Sequence, residues 1–213
     1  MKMIIPAILT DNVKDLKLEL DRIQGLSDWA QIDIMDGKFV NNISVSLEDI
    51  ADNNMLKSFS LEAHLMVENP GLYFEQCEKS SIKRVIFQIE GTDDVERDLA
   101  EAGRLNLQKG LALKPETSLR EVEPYINDLD VILLMSVEPG FQGQKFIEAT
   151  LEKIKALRKM APDITIEVDG GINSDNIKSV SDAGADYFVV GSELLKSKNI
   201  KETFEKLNSK IKK

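Results

Sequence analysis

A chain of 213 residues with 42% hydrophobic and 30% charged side chains carries enough apolar material for a full core, which sets disorder aside and suits one α/β barrel domain. The formal net charge of −10 and the pI near 4.8 argue against nucleic-acid or membrane partners, because the field repels phosphate backbones and anionic surfaces, although backbone amides can still hold a small phosphate. One cysteine, Cys77, leaves no internal disulfide and fits a reducing, cytoplasmic setting, and residues 1–9, interrupted by Pro6, are too short for a signal or membrane segment.

Residues 3–9 read as a first strand. Thr10 or Asp11 then caps a helix with Val13, Leu16, Leu18, Leu20 and Ile23 on an approximate apolar stripe, ended by Gly25. Residues 29–34 form a second strand, and the Gly37 turn leads through a polar loop to a weak helix near 47–56. A third strand over 59–67 precedes Asn69-Pro70 and a helix over 71–78. Residues 82–89 make a fourth strand, with Arg84, Ile86 and Gln88 on one face, followed by a helix from Thr92-Asp93 to Ala102 that Gly103 closes. Residues 109–113 make a fifth strand, stopped by Pro115, and Ser118 caps a short helix.

The run 131–137 is almost wholly apolar, as a parallel strand covered on both faces should be. A two-glycine loop over 138–144 and a helix over 146–160 follow it. The last strands are 164–169 and 187–191, separated by a helix that Asn173 or Ser174 opens and Gly184 closes. A charged amphipathic helix over 200–213 ends the chain, with Lys210, Lys212 and Lys213 on a solvated face. Eight strands alternating with helices predict a single-domain (β/α)8 TIM barrel over residues 1–213, since that alternation forces parallel pairing with right-handed crossovers. A doubly wound open sheet is the competing arrangement.

The barrel gives meaning to the polar residues inside three of the strands. Gln31 and Asp33, Glu62, His64 and Met66, and Glu167 and Asp169 each share one strand face by their two-residue spacing. In a closed parallel barrel Asp33, His64 and Asp169 meet at the C-terminal mouth, where such barrels keep their chemistry.

With the motifs Pro6-Ala7-Ile8-Leu9, Ile32-Asp33-Ile34-Met35-Asp36-Gly37, His64-Leu65-Met66-Val67, the segment 139–146, Val168-Asp169-Gly170-Gly171-Ile172, Gly184-Ala185-Asp186 and Val190-Gly191-Ser192 in order, the chain resembles the ribulose-phosphate 3-epimerase family over nearly its whole length. The resemblance implies interconversion of ribulose 5-phosphate and xylulose 5-phosphate by proton transfer at C3. It makes Asp33 and Asp169 the acid–base pair and also, with His64, ligands of a divalent metal (Zn, Fe, Mn or Mg). It assigns the phosphate to Gly143, Gly171, Gly191 and Ser192. Met35, Met66 and Met135 read either as an apolar pocket wall that limits water or as ordinary core, and Gln88 is placed in the substrate pocket.

Three positions depart from the family pattern. Gln31 replaces a ligand histidine and becomes a weak fourth ligand, Gln88 replaces another histidine, and Ala7 replaces a serine. An amide oxygen binds zinc or iron less well than imidazole, so affinity should fall and preference move toward manganese or magnesium. The competing functions are an epimerase acting on a six-carbon ketose phosphate, an aldolase-type lyase and a non-catalytic sugar-phosphate binder. The loop 138–145 reads either as a segment that closes over bound sugar phosphate, its glycines absorbing the movement, or as a static turn, and family members often form homo-oligomers.

Overall fold

The computed structural model describes residues 2–51 and 58–211. Its strands are β1 (Met3–Ile8), β2 (Trp29–Met35), β3 (Ser60–Met66), β4 (Arg84–Gln88), β5 (Gln108–Leu113), β6 (Val131–Met135), β7 (Thr165–Asp169) and β8 (Tyr187–Val190). They pair in parallel, each with its neighbour in sequence, and β8 returns to β1 to close the barrel. That closure decides against the open sheet. The α-helices are α1 (Val13–Ile23), α2 (Leu47–Ala51), α3 (Phe74–Lys79), α4 (Val95–Arg104), α5 (Thr150–Met160), α6 (Ile177–Ala183), α7 (Ser192–Leu195) and α8 (Ile200–Ile211). Among the described residues, no helix is long and apolar enough to cross a membrane.

Several boundaries move, each for a local reason. The cap of α1 is Asn12, whose Oδ1 accepts the Lys14 amide at 2.8 Å, while the Thr10 hydroxyl accepts the amide of Asn12 itself. On α1 only Leu16, Leu20 and Ile23 are buried, whereas Val13 and Leu18 face solvent. Asp94 caps α4 by accepting the Arg97 amide. Helix α5 begins at Thr150 rather than 146, because the Ile147 amide is committed to the Ser136 carbonyl at 2.8 Å and holds that segment against the end of β6. Pro70–Tyr73 is a 3-10 turn ahead of α3, and α7 has no counterpart in the sequence reading. The helix expected over 47–56 is seen through Ala51, and its remainder lies outside the described residues, as do Lys212 and Lys213. Lys210 is half-buried and donates to the Ser174 carbonyl instead of standing free in solvent.

Alternation along each strand divides the core in two. Outward side chains such as Ile32, Leu65, Phe87, Leu134 and Val168 pack under the helices with Leu16, Leu99, Ile154, Val180 and Leu207. Cys77 belongs to this layer, and burial pushes its thiol up to about 12, so it packs as an inert small hydrophobe. Inside the barrel, Ile86, Ala112, Val131, Leu133, Met135 and Val137 make a separate apolar cluster on β4 to β6 and just beyond. Gly110 on β5 leaves room for it, since a Cβ there would stand 2.6 Å from Val131 Cγ1.

The remaining interior is polar. Arg84 Nη1 lies 2.8 Å from Glu62 Oε2 and 3.5 Å from Glu167 Oε2, and its guanidinium carbon stands 4.2 Å from the Trp29 ring centroid and 5.4 Å from that of Tyr187. Two fully buried carboxyl groups thus share one cation. Burial raises the pKa of both, and at Glu167 the Glu62 charge adds to it while Arg84 offsets only part. Glu167 is therefore the member that keeps its proton.

Removing the cation should be severe. Arg84→Leu is expected to lower unfolding free energy at pH 7 by about 3–5 kcal/mol, the usual effect of breaking a buried ion pair, as read by urea denaturation. A buried carboxyl whose folded pKa is raised contributes stability below its unfolded pKa and loses it as pH rises through the folded value. The deficit relative to wild type should therefore shrink as the pH is lowered toward about 5.

Candidate active site

The strand register builds the site. Asp33 on β2 stands opposite His64 on β3, and Met35 opposite Met66, while Met135 on β6 stands opposite Asp169 on β7. All six project inward at the C-terminal ends of their strands.

The side-chain atoms of Asp33, His64 and Asp169 converge, and their donor atoms lie within 4.8 Å of one another. His64 Nδ1 is 3.3 Å from both Asp33 Oδ1 and Asp169 Oδ2. Gln31 Nε2 donates to the same two oxygens, at 2.8 and 2.9 Å. Beneath them, Gln88 Nε2 is 2.9 Å from His64 Nε2. Gln31, His64 and Gln88 are wholly buried, whereas Asp169 is part-exposed to the cleft above.

Neutralisation of the two carboxylates governs the electrostatics. Burial by itself would lower the His64 pKa, but the Asp169 and Asp33 carboxylates, each 3.3 Å from Nδ1, outweigh it and raise the value to about 9. Burial raises the Asp33 pKa, and the Asp169 charge adds to it against the opposing pull of His64 and Gln31.

The donor set suits a divalent cation. His64 Nδ1 is buried, outside hydrogen-bond geometry with any described group, and aimed between two carboxylates, while its other nitrogen is held by Gln88. A ring steered through its far nitrogen in this way is the usual support of a metal-binding histidine. Gln31 Oε1 is likewise buried without a partner. Exchanging the ends of that amide would turn the oxygen toward the two aspartates, so Gln31 can serve as donor or acceptor there.

Above these groups lies a cleft of about 540 Å³, including its open mouth. Ala7, Met35, Met66 and Met135 line it together with Asp33 and Asp169, and Gly143, Gly171, Gly191 and Ser192 form part of its wall. Gln88, expected in this pocket, is absent from its lining. It lies one layer deeper, screened by His64, because its own partner is the imidazole.

Gly171 has φ +62°, and a Cβ there would meet the Phe146 amide nitrogen at 2.6 Å, so the wall closes only around glycine. The side chains of Asn173 and Asn176 donate to the Gly171 carbonyl at 3.1 and 2.9 Å. A trans peptide points its N–H opposite its C=O, so this restraint aims the next amide, that of Ile172, the other way. The β6–α5 loop is braced as well. Gln144 Nε2 donates to the carbonyls of Glu138 and Phe141, and Asn42 Nδ2 donates to that of Gly140. Gln142, which also lines the cleft, escaped the sequence reading, where its one signal was a polar residue flanked closely by two glycines.

Comparison with known proteins accords with this geometry. The sequence profile of the ribulose-phosphate 3 epimerase family matches residues 3–195. The chain is 36% identical over 214 residues to the ribulose-phosphate 3-epimerase of Aquifex aeolicus, covering 98% of this chain and 96% of that one. It is 37% identical over 196 residues to the ribulose-phosphate 3-epimerase, cytoplasmic isoform, of Oryza sativa, covering 90% and 86%. Among solved structures, 3-hexulose-6-phosphate synthase from Salmonella typhimurium superposes with a TM-score of 0.78 at 16% identity, over 99% of this chain and 98% of that one, a likeness of fold alone. A match of this extent, on a barrel whose mouth gathers two aspartates and a histidine, places the chain in the ribulose-phosphate 3-epimerase family.

Proposed function

We propose that this chain interconverts ribulose 5-phosphate and xylulose 5-phosphate, with Asp33 and Asp169 exchanging protons at the two faces of C3. The names of the relatives support the substrate. The observation that carries the chemistry is that two carboxylates from different strands face one cleft, with Gln31 hydrogen-bonded to both and His64 Nδ1 3.3 Å from each.

Inversion next to a carbonyl needs a base on one face and an acid on the other. The raised pKa of Asp33, caused first by burial, inclines it to the acid role with Asp169 opposite it as the base, and the reverse reaction exchanges the two roles. Met35, Met66 and Met135 keep water from the reacting carbon, and the backbone around Gly143, Gly171, Gly191 and Ser192 holds the phosphate. A divalent cation held by Asp33, His64 and Asp169, with Gln31 as a weaker oxygen donor, supplies Lewis-acid stabilisation of the enediolate charge when bound. The amide oxygen of Gln31 in place of an imidazole shifts the preference toward manganese or magnesium over zinc or iron. The Oryza relative's designation as a cytoplasmic isoform supports a cytoplasmic placement.

One observation favours a second reading, a non-catalytic sugar-phosphate binder. The Gln31 amide contacts both carboxylates where the family pattern has a ligand histidine, and an amide is the weaker metal ligand. Binding of ribulose 5-phosphate with no turnover under any of the four metals would establish that reading instead.

Asp33→Asn and Asp169→Asn should each reduce turnover by about 10²-fold or more, with circular dichroism and phosphate binding unchanged. Wild-type turnover in either variant would remove the two-base scheme. Gln31→His should raise the zinc retained through purification, measured by elemental analysis, and an unchanged content would show that Gln31 takes no part in binding the ion. His64 keeps its proton up to about pH 9, and ligation requires its loss. Calorimetry in two buffers near neutral pH should therefore find about one proton released per cation bound, falling away as the pH rises past that value.

A further inference from the structure

The wall that Gly171, Gly191 and Ser192 share holds a side-chain donor with no acceptor. Gln142 Nε2 is buried and without a hydrogen-bond partner, and it lies 3.0 Å from the position a Cβ on Gly191 would take. Its loop is braced on both sides, by Asn42 at Gly140 and by Gln144 at Glu138 and Phe141. The amide is thus presented to the cleft by a restrained backbone.

The cleft's charges sharpen the point. Its lining includes the carboxylates of Asp33, Glu138 and Asp169 and no lysine or arginine. A phosphate dianion seated there finds its near cation at the rim, in Lys196, whose Nζ stands 3.7 Å from the position a Cβ on Gly143 would take, and otherwise draws on N–H donors, which bond most strongly to charged acceptors. A buried donor left unpaired is unfavourable, and the penalty disappears when the acceptor arrives with the ligand.

We propose that Gln142 is a specificity-determining residue for phosphorylated substrates, its side-chain amide donating a hydrogen bond to the phosphate group. The proposal rests on the reading of Gly171, Gly191 and Ser192 as the phosphate site and adds to it a side-chain amide donor beside the Ser192 hydroxyl. It also gives a reason for glycine at 191, since a side chain there would displace the Gln142 amide.

The test measures calorimetric Kd values of the full chain for inorganic phosphate and for ribulose 5-phosphate, in wild type, Gln142→Ala and Gln142→Glu. Gln142→Ala is expected to weaken both by about tenfold or more, the scale of one hydrogen bond to a charged acceptor. Where turnover is measured, KM should rise with kcat changed by less than about twofold, the pattern of lost uniform binding. Gln142→Glu keeps the volume and replaces the amide with a charge, so it should bind more weakly still, and it carries the test if Gln142→Ala does not fold. Wild-type affinity in Gln142→Glu, or a lower kcat at unchanged KM, would overturn the proposal. Phosphate that binds wild type and Gln142→Ala equally well defeats the role of Gln142 alone, whereas phosphate that neither binds wild type nor competes with substrate defeats the phosphate-site reading beneath it.

Discussion

Two carboxylates that approach the same imidazole nitrogen repel one another, and in the low-dielectric mouth of a barrel the repulsion is far larger than it would be in water. Asp33 and Asp169 are in this position, each 3.3 Å from His64 Nδ1. Much of the site is arranged around that repulsion. Gln31 places one NH2 group on both carboxylates, and His64 carries its proton well into the alkaline range. Gln88 holds the ring from behind.

The need for neutral pairing continues down the barrel axis. One level below, Glu62 and Glu167 again bring two acids together, and here Arg84, stacked between Trp29 and Tyr187, is the partner. The other half of the interior, on β4 to β6, is apolar and closely filled around Gly110. A packed hydrophobic half gives the polar half a rigid wall, which is what fixes distances at a catalytic mouth.

The fold was readable because apolar strands alternating with helical stripes leave few topologies open, and the two-residue spacing of Gln31 with Asp33 and of Glu167 with Asp169 fixed the inward face. The convergence with His64 followed from register. Details set by tertiary contacts were less legible. Helix α5 starts late because the Ile147 amide is taken by Ser136, and α1 is capped by Asn12 because Thr10 is spent on the turn before it. Gln88 read as a pocket residue because it stands where the family pattern has a histidine, and only its contact with the His64 ring shows it to be covered. Gln142 lay in a loop with no periodicity, where sequence offers no means of deciding which way a side chain turns.

The ion cluster of Glu62, Arg84 and Glu167 draws its members from three strands, β3, β4 and β7. Replacing any one by an apolar residue alters the charge balance of a sealed compartment, whereas replacing the set together restores an ordinary hydrophobic layer. Evolutionary drift at these positions is therefore epistatic, and lineages that descend from this barrel should keep the trio or discard it as a block.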